Sequence, residues 1–316
     1  MDEIKEVNGK PIVGKPSKQP TIDFFNKIAP MGTVYDEDPY MTVYSFHEGV
    51  YSMYGKDLSM PDEEYGGSWI ELIIGEERAM LIDTGFGIGS LKSLVDKLTG
   101  GMELIVVNTH SHADHSGGNS QFGKIYCHEY EAEELRDSLT MEHWLREDER
   151  FKSSANYSAE DILPFKTYDV VGCKNNTVFD LGGGHEVELI YLPGHTAGGC
   201  TYLDKKNRIL FSGDAIMSPN QNLGFRSAHH PEKLTVQAYY EELVKLSARL
   251  DEFDCLYSGH RSFILDKSVV TDVTAACKDI LEDPDCNEVY EMMMNHLVKI
   301  HQVGSIGMTY GDDQVR

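Results

Sequence analysis

A chain of 316 residues, 41% of them hydrophobic, is long enough to fill one large core, or one core plus an appendage. Its 52 acidic against 28 basic side chains leave a net charge of −24, which opposes a nucleic-acid or acidic-lipid partner, since both need clustered Lys and Arg. The charged N-terminus has no apolar stretch behind it and no run reaches the roughly eighteen apolar residues of a membrane span, so a soluble, cytoplasmic chain without membrane contact is expected.

Residues 1–40 are polar and contain proline without periodicity, and read as an N-terminal arm, laid on the surface or partly disordered. Strand-like runs follow: Val43–Phe46, Val50–Tyr54, Ser68–Ile74 and Ala79–Ile82, rich in β-branched and aromatic residues and separated by turn-formers. Apolar residues three to four apart predict a helix over Leu91–Leu98, and the run Glu103–Val107 predicts a further strand.

The stretch from about 129 to 165 is charged and helical in character, over Glu129–Asp137 and Met141–Phe151. It reads as an insertion with solvated Glu-rich faces. A second β-rich series occupies Thr167–Val171, Thr177–Phe179, Glu186–Leu192, Cys200–Leu203 and Arg208–Phe211. An amphipathic helix with Pro231 in its first turn is predicted over Pro231–Leu250, then a short strand Cys255–Tyr257, then two helices, Lys267–Leu281 and Asn287–His301.

Met292, Met293 and Met294 with Leu297 and Ile300 would pack that last helix against the domain or a second subunit, which leaves a homodimer open. Two β-rich halves, each followed by helices, imply an α/β (α+β) chain with two mixed sheets face to face and helices outside. The expected organisation is an arm over 1–40, a catalytic domain over 41–265 and a helical C-terminal extension over 266–316, packed on the domain.

The six cysteines form no CxxC pair, which suits reduced structural thiols, with Cys200 and Cys255 expected to be buried beside strands. The chemistry lies elsewhere, in the stretch Val106–Gly118, VVNTHSHADHSGG. His110, His112, Asp114 and His115 match neither the two-residue nor the 3.6-residue period, so one strand face or helix face cannot present them all. A loop between a strand and a helical turn can converge them on two metals, with Gly117 and Gly118 allowing close backbone approach.

Imidazole and carboxylate without thiolate is a ligand set for Zn²⁺, or for Mn²⁺ or Fe²⁺ at similar geometry. Two such ions need more than four donors. His195, Asp214 and His260 supply candidates, each following a Gly just after a strand-like run.

His110-Ser111-His112-Ala113-Asp114-His115, followed in order by Gly194-His195, Gly213-Asp214 and Gly259-His260 and preceded by Leu81-Ile82-Asp83-Thr84-Gly85, resembles the HxHxDH metallo-β-lactamase-fold hydrolases over about residues 42–265. The resemblance implies an αββα four-layer sandwich with the metals at one edge between the sheets. It implies His110, His112 and His195 on a first metal, Asp114, His115 and His260 on a second, Asp214 bridging, and Asp83 beside the ligands without binding metal.

Two ions sharing a water lower its pKa toward ~7, so the expected reaction is hydrolysis of a small-molecule ester, lactone, thioester or amide by a metal-bridging hydroxide, with Asp114 and Asp214 as the catalytic carboxylates. Departures from the subfamilies narrow the choice. The family's β-lactamases generally lack the bridging aspartate, its acyl-homoserine lactonases carry Tyr where this chain has Met217, and its hydroxyacylglutathione hydrolases use C-terminal basic groups that are sparse here.

Ribonuclease-type members need a cationic surface, and flavodiiron proteins replace the second motif histidine by Glu. The alternative reading is a mononuclear iron dioxygenase resembling the persulfide dioxygenases, with β-lactamase or phosphodiesterase activity as minor alternatives. Three regions could shape a pocket: the segment 55–67, the loop 216–231 with Met217, Phe225, Arg226, His229 and His230, and the Met-rich C-terminal run.

Overall fold

Ser68–Ile74 and Arg78–Ile82 are buried almost throughout, as strands covered on both faces must be, and they form the middle of an eight-stranded mixed sheet. The computed structural model describes residues 5–14, 17–55, 66–140, 142, 164, 166–224, 227–261, 263–293 and 296–316. The expected helix Met141–Phe151 apart from Glu142, most of the segment 55–67, and Phe225 and Arg226 lie outside the described residues.

The first sheet runs in the order Asp169–Cys173, Lys124–His128, Glu103–Val107, Arg78–Ile82, Ser68–Ile74, Val50–Gly55, Asp38–His47, Thr33–Tyr35. The second runs Val178–Asp180, Glu186–Tyr191, Cys200–Asp204, Ile209–Gly213, Cys255–Ser258, Ile264–Asp266. Their facing sides bury Ile73, Met80, Ile82 and Val107 against Leu189, Tyr202, Ile209 and Phe211.

The helix Leu91–Thr99 covers the outer face of the first sheet with Leu91, Leu94 and Val95. On the second sheet, Val236–Ser247 and Ser268–Glu282 lay Tyr239, Leu243, Val270 and Val273 over Leu203, Leu210 and Leu256. This is the αββα sandwich. No helix among the described residues is long and apolar enough to cross a membrane, and all six cysteines are free.

Three readings of the sequence need correction. Asn287–His301 is not a helix: Val289–Met293 and His296–Val303 pair antiparallel, and Ile306–Tyr310 continues the sheet. The run of Met292, Met293, Met294, Leu297 and Ile300 satisfies helical spacing, but Val289, Val298, Ile300 and Val303 favour extended backbone, and pairing across the sheet decides. Met292 sits opposite Leu297, and they are 53% and 40% exposed, so these two do not pack inward.

Nor is the N-terminal region a plain arm: Lys10–Val13 joins this third sheet beside Val289–Met293, and the helix Gln19–Ile28 buries Phe25 and Ile28 near Trp69. Finally, Pro231–Lys233 is a separate 3₁₀ turn. The long helix starts at Val236 because the Thr235 hydroxyl accepts the Ala238 N–H at 3.1 Å and caps it there.

The C-terminal end of that helix is clasped to the second sheet by Arg249. Its guanidinium bonds both oxygens of Glu188, at 2.9 and 2.7 Å, and both of Glu252, at 2.7 and 3.0 Å. Arg249→Met is expected to lower unfolding stability by about 1–2 kcal/mol at neutral pH, measured by urea denaturation. Arg249 holds the Glu252 carboxyl at about 2, below its ordinary 4.5, so this contribution is complete above pH 4.5 and is lost as pH falls through about 2. The difference between wild type and variant should shrink across that window; a pH-independent difference would count against the clasp.

Candidate metal centre

The ends of several parallel strands meet at one edge of the sandwich. Glu103–Val107 leads to His110, Glu186–Tyr191 to His195, Ile209–Gly213 to Asp214, Cys255–Ser258 to His260, and Arg78–Ile82 to Asp83. After Val107 the chain bends so that His112 precedes a single helical turn, Ala113–Ser116. The His115 carbonyl there accepts the Thr84 N–H at 2.7 Å and the Asn108 side-chain amide at 3.2 Å. The two sheets are stitched together at this edge by Trp69 N–H to the Gly259 carbonyl, 2.9 Å, and Cys200 N–H to the Thr109 carbonyl, 3.0 Å.

All seven residues proposed from the sequence converge. His110, His112 and His195 form one cluster of candidate donors, Asp114, His115 and His260 another, and His110, His115 and Asp214 a third that joins them. His195 Nε2 lies 3.1 Å from His112 Nδ1, and His260 Nε2 lies 3.1 Å from Asp114 Oδ2. Asp214 reaches both sides: Oδ1 is 3.4 Å from His115 Nε2, and Oδ2 is 3.5 Å from His195 Nε2 and 3.2 Å from His260 Nε2.

The remaining ring nitrogens are tied down from behind. Asp83, in the left-handed region at φ 65°, accepts His115 Nδ1 at 2.8 Å and holds the Thr109 N–H and hydroxyl at 2.7 and 2.8 Å. The Thr109 hydroxyl meets His110 Nδ1 at 3.0 Å. His195 Nδ1 donates to the Asn222 carbonyl at 3.1 Å and His260 Nδ1 to the Gly67 carbonyl at 2.8 Å. With Nδ1 occupied, four imidazoles present Nε2 to the centre, the arrangement that fixes tautomer and ring direction in metal sites.

Two buried atoms at the middle, His110 Nε2 and Asp214 Oδ1, have no hydrogen-bond partner among the described residues. Buried donors and acceptors are rarely left unpaired, and for an imidazole nitrogen and a carboxylate oxygen on converging loops a divalent cation is the partner that fits.

Taken as protein groups alone, the cluster is electrostatically divided. Burial and the neighbouring imidazoles hold His110 well below its ordinary range, and burial with His195 brings His112 down to about 4. Burial works to lower His115 as well, but Asp114, Asp214 and Asp83 together push it up to about 9. Burial alone would raise Asp114 and Asp214, yet His115 and His260 drive both below the carboxylate range, so both are anionic donors at neutral pH.

The loop after Asp214 is held by hydrogen bonds within itself and to a neighbouring helix. The Met217 N–H donates to Gln221 Oε1 at 2.8 Å, and the Gln221 amide donates to the Asp214 carbonyl at 3.2 Å. His229 places Nε2 2.8 Å from Asp137, and His230 places Nε2 3.1 Å from Glu133. Both partners are on the helix Glu129–Ser138.

Two supporting residues have no counterpart in the sequence reading. Asn222 lies in a short strand of the third sheet, beside Ile306–Tyr310, so the C-terminal strands reach His195 through its carbonyl. The sequence places Glu131 on a solvated helix face, yet it is fully buried. The available signal was its place in the first turn after a strand, Lys124–His128, that neighbours the motif strand; nothing else set it apart from the surrounding glutamates.

Residues 65–260 match the family profile described as the metallo-beta-lactamase superfamily. Over 163 residues the chain is 31% identical to acyl-coenzyme A thioesterase MBLAC2 of Homo sapiens, covering 46% of this chain and 57% of that protein. Over 141 residues it is 26% identical to hydroxyacylglutathione hydrolase GloC of Haemophilus influenzae, covering 45% and 62%. The match thus spans less than two thirds of these curated relatives. Among solved structures, a metallo-beta-lactamase from Pontibacter korlensis superposes with a TM-score of 0.53 at 20% identity, over 76% of this chain and 99% of that one, a likeness of fold.

Proposed function

The chain belongs to the metallo-β-lactamase superfamily, and from that premise we propose that it is a dinuclear metal-dependent hydrolase whose substrate is a small-molecule thioester. The observation that supports this best is Asp214, one carboxylate facing both imidazole clusters. The bond type rests on the relatives, since an acyl-coenzyme A and a hydroxyacylglutathione are both thioesters. An ester, lactone or amide is the wider class from which the sequence drew this.

His110, His112 and His195 would hold one ion, Asp114, His115 and His260 the other, and Asp214 would lie between them. Zn²⁺ is the first choice for imidazole and carboxylate donors, and Mn²⁺ or Fe²⁺ accept the same set. Such ions supply an ionisable water at neutral pH and a Lewis acid for the acyl oxygen.

The protein's share is position and proton handling. Five imidazoles are aimed by the strand ends, four of them with Nδ1 tied from behind. Asp114, with its side chain 26% exposed against 6% for Asp214, is the carboxylate with access to a reacting water. The Asp114 oxygen turned away from His115 and His260 would take that water's proton as the acyl carbon–oxygen bond forms, and return it to the leaving sulfur as the carbon–sulfur bond breaks.

Metal analysis of aerobically and anaerobically purified protein, with a panel of thioesters, esters, lactones and a phosphodiester, tests the reading. Two divalent ions per chain and preferred thioester turnover are expected. His112→Ala should retain about one ion and lose on the order of 10²-fold or more in kcat/KM. One iron per chain with oxygen consumption would replace the hydrolase by the dioxygenase reading.

A further inference from the structure

Asp83 is the outer carboxylate that the sequence singled out, and it anchors His115. A second buried carboxylate serves the opposite cluster. Glu131 is fully buried in the first turn of Glu129–Ser138, and both of its oxygens are engaged by the two loops that carry His110, His112 and His195. Oε1 accepts the N–H of Ser111, between His110 and His112, at 2.5 Å. Oε2 accepts the hydroxyl of Thr196, directly after His195, at 2.9 Å, and the N–H of Gly198 at 3.0 Å.

These loops come from different sheets and are distant in sequence, so their spacing sets whether three imidazoles can close on one ion. The packing is tight: a Cβ at Gly198 would lie 2.1 Å from the Glu131 backbone nitrogen, so the glycine is what lets the helix approach the loop. Among the described residues no Lys or Arg bonds Glu131; three N–H and O–H donors engage it, and a buried carboxylate so held is a rigid three-point connector.

We propose that Glu131 is the positioning residue of the His110–His112–His195 cluster, setting metal affinity there and leaving the Asp114–His115–His260 cluster unaffected. This rests on the metal-binding half of the proposed function and is independent of which bond is hydrolysed.

Glu131→Gln keeps the volume and one acceptor oxygen, but turns an amide N–H₂ toward a donor. Metal-stripped protein is titrated with Co²⁺ against a competing chelator, and the two binding steps are assigned by their loss in His112→Ala and in His260→Ala. The expected result is a 10–100-fold weakening of the His112 step, with the His260 step within twofold of wild type. Thr196→Val, which removes one hydroxyl and no charge, should weaken the same step by about 3-fold and serves if Glu131→Gln fails to fold.

Equal weakening of both steps, or none, would overturn the assignment and leave Glu131 a general structural contact. Should the wild type take up a single ion, the dinuclear reading fails on its own. The Glu131 variant then still decides: a tenfold loss for that ion supports the assignment, and an unchanged affinity overturns it.

Discussion

Asp214→Asn is expected to reduce kcat/KM by about 10³-fold, roughly 4 kcal/mol of transition-state stabilisation, while metal-stripped protein unfolds close to the wild-type temperature. The side chain is 6% exposed and faces His115 with one oxygen and His195 and His260 with the other. Asparagine fills the same volume. It removes the charge common to both clusters and places an N–H₂ where an acceptor must face a cation, so bound metal should fall from two ions to one or fewer per chain. Since the carboxyl is held ionised by His260 and His115, its loss in the stripped protein also removes a favourable buried pairing, which bounds how stable the variant can be. Metal analysis and calorimetry of the same preparation separate the effects. Two tightly bound ions with full turnover in Asp214→Asn would remove Asp214 from the bridging role and, with it, the strongest support for a dinuclear centre.

The metal cluster was legible because it is built from local irregularity. A strand that ends in His110, His112, Asp114 and His115 breaks both regular periods, and Gly before His195, Asp214 and His260 marks three further sharp exits from strands. The sandwich was legible through central strands rich in β-branched and aromatic residues, such as Ser68–Ile74 and Ile209–Gly213. What escaped depends on pairing between distant segments. Lys10–Val13 pairs locally with Glu6–Val7, but it enters the third sheet through Tyr290 and Glu291 beside it, and the hairpin after Asn287 carries apolar spacing that serves a helix equally well. Glu131 escaped for a related reason. Among Glu129, Glu131, Glu133 and Glu134 only tertiary contact tells the buried carboxylate from its neighbours, and Ser111, Thr196 and Gly198 all lie at least twenty residues away.

The glycines before the three distal donors also differ in what they permit, and Gly259 carries the sharpest consequence. Gly194 and Gly213 hold φ of 113° and 49°, where a side chain is strained whatever the space. Gly259 is not in that region, so alanine fits its backbone, and the obstacle is the site itself. A Cβ there would lie 2.3 Å from Asp214 Oδ1 and 2.8 Å from His115 Cε1. Retreat is blocked on both sides, because the Gly259 N–H donates to the Gly213 carbonyl at 2.8 Å and its carbonyl accepts the Trp69 N–H at 2.9 Å. Gly259→Ala is therefore expected to lower stability by about 1–3 kcal/mol, the usual range for an added methyl in a close-packed interior. The methyl should also displace the carboxylate and imidazole that face each other, weakening metal binding by on the order of 10²-fold and reducing turnover at least as much. Gly123→Ala is the matched control, since a Cβ there meets nothing within 4 Å and should leave stability within about 0.5 kcal/mol. Co²⁺ titration beside urea denaturation of both variants decides the matter. Wild-type metal affinity in Gly259→Ala would mean that Asp214 and His115 do not face each other across Gly259 in the working protein.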